Sequence, residues 1–264
     1  MVSLADRLDT QSGIFLLGIL PTGSRDPYGL RRSVLGACRI LIGMKVRVSL
    51  GDLLERAIRS YVDAAIDGTV PPADAKTSLL EFYRGRLQHL GEADGLRQDS
   101  VRSALAASMD DPYDARLRMA ALDEIRAEPG FEVLAMAHKR IKNILHGRTV
   151  SSPDPALLKE DAERALDRSV RSARPAIEAA QARLDHAGAL REIARLGGPL
   201  DRFFEDVLVM AEDRRLRDNR LGILQSIGAL FLRVGDFSEI VVEGETAPPA
   251  RATRPARRPT EAGR

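Results

Sequence analysis

Gly18-Ile19-Leu20-Pro21-Thr22-Gly23-Ser24 has the glycine spacing of a loop that cradles phosphates. Such a loop needs a lysine directly after its second glycine and a strand-to-helix setting, whereas Ser24 stands in the lysine position and no strand pattern precedes it. The stretch reads as an inter-helix loop. Asp6 and Asp9 put two carboxylates on the opening helical segment and could offer metal ligands. A metal shell of the phosphohydrolase kind needs an earlier His and a His-Asp pair, but His89, His138, His146 and His186 all come later and none precedes an aspartate. A solvated helix face accounts for both acids. Cys38 shares an apolar face with Val34 and Leu41, as a small buried side chain would. As the single cysteine it excludes an internal disulfide and a Cys-rich zinc site. His138 borders the apolar stripe of Leu134, Ile141 and Leu145, which predicts a packed histidine, not a ligand or general base.

Two basic clusters carry more information. In the segment Phe131 to Leu145 the apolar stripe leaves Lys139, Lys142 and Asn143 on one exposed side with Arg140 adjoining, a strip that could face phosphates. Arg214-Arg215-Leu216-Arg217-Asp218-Asn219-Arg220 precedes a helix whose Leu224, Ile227, Phe231 and Val234 point inward, so that Arg217, Asn219 and Arg220 could reach RNA phosphates, 2′-hydroxyls or bases. Basic runs at helix ends also serve simply as solvated faces or complement the helix dipole. Chemistry alone leaves both roles open.

The elements that must position these residues are helices. Apolar residues recur at spacings of three and four, leucine, alanine, arginine and glutamate abound, and strand signals are nearly missing, which predicts an all-α chain. One run, Phe237-Ser238-Glu239-Ile240-Val241-Val242, fits a short strand or coil equally well. Tyr28 to Ile42 reads as a helix with Leu30, Val34, Ala37 and Leu41 on one face. Further helices run from Leu50 to Ala107, interrupted at Gly68 to Pro72 and closed by Asp110-Asp111-Pro112. A longer array follows from Tyr113 to Phe237, with boundaries at Pro129-Gly130, Ser151 to Pro155 and Gly197-Gly198-Pro199. Its last third should be a compact helix bundle. From 241 to 264 the chain is rich in Pro, Ala and Arg with little to bury, which predicts a disordered tail. Five arginines against three glutamates in residues 243–264 supply the whole net charge of +2, so the body is neutral and any nucleic-acid role must come from local basic faces. No stretch approaches the roughly 20 apolar residues of a membrane span, and the charged N-terminus does not resemble a signal peptide. A cytoplasmic location is expected.

Several ordered segments are similar to one family. Leu4-Ala5-Asp6-Arg7-Leu8-Asp9-Thr10, Gly13-Ile14-Phe15 and Asp26-Pro27-Tyr28-Gly29-Leu30-Arg31-Arg32 resemble the ADKLDTL…GIF…DPFALRR passage of the bacterial glycyl-tRNA synthetase β-subunit. Ala137 to Leu145 resembles its A-x-KRVxNIL helix, and Phe203 to Met210 its FFDxVMVM segment. Arg217-Asp218-Asn219-Arg220-Leu221 resembles RxNRL, and Leu230 to Ser238 resembles LFLRVADIS. The resemblance covers residues 4 to about 240, and five collinear matches are far more specific than any one of them. It implies a C-terminal remnant of an HD-like domain at 1–44, a helical linker or body region at 45–112, and a DALR-type anticodon-binding domain at 113–240, with the tail beyond. It also implies that tRNA(Gly) is the bound RNA and that an α-subunit and the N-terminal part of the β-subunit are partners. ATP with Mg would be used on the α-subunit, with no cofactor in this chain. In agreement, the chain has neither HIGH nor KMSKS and no recognisable class II core. The expected role is to hold and recognise tRNA through Lys139, Arg140, Lys142, Asn143, Arg217, Asn219 and Arg220, with the aminoacyl chemistry elsewhere; a non-catalytic helical module that binds protein or RNA is the alternative. Arg31 and Arg32 match the family's paired arginines without an assigned contact.

Overall fold

The computed structural model describes residues 2–22, 25–64 and 69–242. Eleven α-helices make up these residues: α1 (Val2–Leu16), α2 (Leu30–Gly43), α3 (Leu50–Asp63), α4 (Pro72–Ala93), α5 (Gln98–Ala107), α6 (Pro112–Ile125), α7 (Phe131–Leu145), α8 (Asp161–Ala182), α9 (His186–Ala194), α10 (Gly197–Asp206) and α11 (Arg214–Leu232). Short 3-10 turns occupy Pro155–Leu157 and Phe237–Glu239, and no strand is formed among the described residues. The 237–242 run is thus a turn followed by coil. No described helix is long and apolar enough to cross a membrane.

The helix starts are written in the sequence. Ser49, Asp111, Asp185 and Asp213 each accept a backbone N–H of the first turn that follows, with Pro112 taking the first position of α6 where an N–H is not needed. Asp26 accepts from Leu30 N and Arg31 N at 2.8 and 3.0 Å, so the Asp26-Pro27 turn sets the entry of α2. Three breaks were not anticipated: the α4–α5 turn, where Gly95 takes a left-handed φ of 84°, the α8–α9 turn, where Leu184 does so at 61°, and the 207–213 connection between α10 and α11. None contains a proline.

Helices α1 to α4 pack into one bundle and α7 to α11 into a second, with α5 and α6 between them and one continuous apolar core running through. Leu30, Val34, Ala37, Cys38 and Leu41 line the buried face of α2 as their spacing predicts. Burial pushes the Cys38 thiol up to about 12, so it stays protonated and inert. In the first bundle Tyr83 donates to Gln11 Oε1 at 2.6 Å and Gln11 donates to Ser33 Oγ at 2.8 Å, a buried polar chain tying α1, α2 and α4. Asp9 accepts from the Tyr61 hydroxyl at 3.0 Å.

The two bundles are joined by charged groups at their shared helices. Arg118 on α6 is buried and donates to the carbonyls of Ala104 and Ser108, capping the C-terminal end of α5, and to Asp114 at 2.8 Å. Asp114 also meets Nε2 of His186 on α9 at 3.0 Å. Asp114 is partly buried, which on its own would raise its pKa, but the His186 and Arg118 bonds outweigh that and hold the carboxyl below the usual range. The chain beyond α11 returns to this junction: Asp236 N donates to Ser103 O, Val241 N donates to Asp99 Oδ2, and Arg126 donates to Val241 O. Val242 is buried. The expected tail therefore begins later than 241, because Val241 and Val242 have partners on α5 and α6; residues 243–264 lie outside the described residues.

Candidate nucleic-acid interface

Helix α7 lies antiparallel against α11, with Ile141 and Leu145 beside Gly228, and the His138 ring tilted against both Phe231 and Phe237. Its outer side carries the first basic cluster. Arg140 is exposed, and its guanidinium carbon sits over the Phe204 ring on α10, 3.9 Å from the centroid, a cation–π contact that holds the guanidinium at the surface. Asn143 is exposed and Lys139 half-buried. Lys142 is half-exposed, but its ammonium donates to Asp236 and Ser238 at 2.7 Å each. These bonds outweigh partial burial and hold Asp236 below the usual carboxylate range. His138 is fully enclosed with no hydrogen-bond partner for Nδ1, and burial lowers it to about 4, so it is a neutral packed ring as its spacing suggests.

The second cluster divides in two. Arg214 and Arg215 are exposed, and Arg217 is half-buried with one hydrogen bond to Ala211 O at 3.2 Å. Asn219 and Arg220 are turned inward, which corrects the expectation that they reach RNA. Asn219 donates to Asp154 O at 3.2 Å and accepts from Asp154 N at 2.6 Å, fastening the 151–154 loop to α11. Arg220 pairs with Glu163, which is fully buried on α8, and donates to Leu208 O at 2.7 Å. Gly222, one turn on from Asp218, lets that loop pass: a Cβ there would stand 2.6 Å from Ser151 O. The two surface groups are not adjacent. Lys142 is tied to Asp236 beyond the end of α11 while Arg217 is in its first turn, so at 1.5 Å per residue they are on the order of 20 Å apart along the axis.

Residues 1–106 match the family model of the glycyl-tRNA synthetase beta subunit, and residues 134–234 match that of the DALR anticodon binding domain. A glycine–tRNA ligase beta subunit from Geobacter metallireducens is 42% identical over 239 residues, covering 90% of this chain and 34% of that protein. Namesakes from Myxococcus xanthus and Moorella thermoacetica are 38% and 39% identical, covering 94% and 91% of this chain and 36% and 35% of theirs. The chain belongs to the glycyl-tRNA synthetase β-subunit family. It spans about a third of the length of the curated relatives it matches.

Within this β-subunit relative, the family-like motifs fall into two physical kinds. Asp26, Asn219, Arg220 and the 234–238 segment are structural: each caps a helix, fastens a loop or joins α11 to α5, which explains their motif positions without any ligand. Arg32, Arg140 and Asn143 stay exposed, and Arg31 is half-buried. Reading the sequence for basic runs missed a dispersed set. Arg164, Arg168, Arg171 and Arg174 on α8 follow one another at spacings of four, three and three and so share one helix face. That spacing was the available signal, hidden because no two of the four are adjacent in sequence. Arg164 is engaged with Asp161 and with the carbonyls of Leu158 and Lys159 at the helix start.

Proposed function

We propose that this chain forms the tRNA-holding portion of a glycine–tRNA ligase, supporting ATP-dependent glycylation of tRNA(Gly) in the cytoplasm, with residues 113–240 as its anticodon-recognising domain. The observation that carries this is the match of residues 134–234 to an anticodon binding domain whose outer helix, α7, keeps Arg140 and Asn143 at the surface. Lys139, Arg140, Lys142, Asn143 and Arg217 are the contact residues in this proposal. Arg140 is the strongest, because a guanidinium already oriented on Phe204 loses little freedom when it meets a phosphate or base. Lys142 contributes charge from the rim. With 4% aromatic residues, recognition rests on hydrogen bonds and phosphate contacts more than on base stacking. The adenylating chemistry, with its ATP and Mg, is assigned to an α-subunit partner.

Gel-shift titration of tRNA(Gly) with the chain and with Arg140→Ala/Asn143→Ala tests it. The parent should bind with an affinity that falls steeply with salt, and the variant should bind about tenfold more weakly, with a shallower salt slope. Unchanged affinity of the variant at low salt would overturn the α7 assignment.

A further inference from the structure

Between α8, α11 and the loop at 152–153 lies a cleft of about 200 Å³, lined by Ser152, Pro153, Asp167, Val170, Arg171, Arg174, Ile223 and Ser226. Its floor is apolar, since Val170 and Ile223 are buried. Its rim is charged and polar. Arg171 is held by Asp167, with Nε donating to Oδ2 at 2.8 Å, yet its side chain remains 57% exposed, so the outer nitrogens are available to a ligand. Arg174 is only loosely paired, 3.9 Å from Glu178, and Glu178 is also taken by Arg233 at 3.2 Å. Arg168 is exposed on the same helix face one turn before Arg171. Pro175 interrupts α8 here, and having no N–H it leaves the Arg171 carbonyl without its helical donor at i+4.

We propose that this cleft receives one unpaired nucleotide of the bound RNA, its base lying on Val170, Ile223 and Pro153 and its phosphate meeting Arg171 and Arg174. This rests on the RNA-binding proposal above and adds to it a site away from the α7 strip. The volume suits a single planar ring system, since a cavity of roughly 150 Å³ holds a benzene ring. The charge arrangement selects the ligand further. Arg171 and Arg174 against Asp167 leave the lining net cationic, which suits a phosphate. The cleft is level with residues 223–226 of α11, between the ends where Arg217 and Lys142 stand. At about 100° per residue Ile223 and Ser226 lie roughly a third to half of the way around α11 from Arg217, so the cleft opens on another face and takes a different stretch of the RNA.

The test is a double-perturbation titration of the whole chain with tRNA transcripts carrying single abasic sites across their loops. One loop position should cost the parent roughly tenfold in affinity, as loss of a seated base does. In Arg171→Ala/Arg174→Ala, and separately in Ser226→Tyr, which fills the cleft and leaves the arginines in place, that same abasic site should cost nothing further. An equal abasic penalty in the parent and both variants would overturn the cleft proposal while leaving the α7 surface intact. A parent chain that binds no transcript at low salt would overturn both. Arg171 and Arg174 are surface groups, so the arginine variant keeps the test decisive if Ser226→Tyr melts early.

Discussion

Replacing Arg220 by alanine separates a core role from an RNA role. The Arg220 side chain is 5% exposed and Glu163 is 0% exposed, so neither charge has water to fall back on. Glu163 also accepts the backbone N–H groups of Lys159 and Glu160, closing the capping box that starts α8. Without the guanidinium, Oε1 loses its charged donor in a dry site, and breaking a buried pair from one side costs about 3–5 kcal/mol. The carbonyl of Leu208 loses a donor as well, but Leu208 is exposed and water can replace it. At about 2–4 °C per kcal/mol for a chain of this size, Arg220→Ala should lower the melting midpoint by on the order of 10 °C, read by circular dichroism at neutral pH. Arg217→Ala removes one half-buried hydrogen bond to Ala211 O and should shift it by about 3 °C or less. Replacing both charges, as Glu163→Gln with Arg220→Met, keeps the cap and removes the stranded charge, and should recover at least about half of the loss. An Arg220→Ala protein that melts within about 2 °C of the parent yet no longer binds tRNA would refute the buried assignment.

Other consequences follow from the same packing. His138 is neutral when folded, with its pKa lowered to about 4 by burial, against 6.5 ordinarily. Between these values the unfolded chain holds a proton that the folded chain does not, so stability should fall as pH drops from 6.5 toward 4, by up to about 3 kcal/mol from this ring. His138→Leu should flatten that segment of a pH series of urea melts; Asp236, whose folded pKa is depressed, keeps a residual loss at lower pH. Gly222→Ala would push a methyl group against the Ser151 carbonyl, and a drop of about 1–3 kcal/mol in urea unfolding is expected. Phe204→Leu removes the ring under Arg140, and should weaken tRNA binding about two- to fivefold in gel shifts with little change in melting midpoint, as loss of a surface cation–π contact implies.

Much of the architecture was legible before any coordinates. Helical periodicity gave an all-α chain, and Asp111-Pro112 and Pro129-Gly130 marked real helix starts because helix-start signals are local, whereas the basic run read as preceding a helix is the first part of α11 itself. The turns at Gly95 and Leu184 were hidden, since a left-handed residue inside an apolar pattern leaves no Pro or Asx cluster to read. The inward turn of Arg220 was available too: it lies four residues before Leu224, on the stripe that continues through Ile227 and Phe231, all buried. The basic run drew attention away from that spacing.

The sequence by itself determined the helix faces, the caps and the family, because each depends on residues within a few positions of one another or on their order along the chain. Only the tertiary structure decided which cations remain for a ligand. Glu163 neutralises Arg220 from 57 residues away, Asp236 holds Lys142 from 94, and Phe204 supports Arg140 on another helix. A buried charge needs a partner, and helix periodicity shows which way a side chain points without showing what it will meet. The cleft beside Arg171 and Arg174 exists for the same reason: α8, α11 and the 152–153 loop shape it together, and none of them carries it alone.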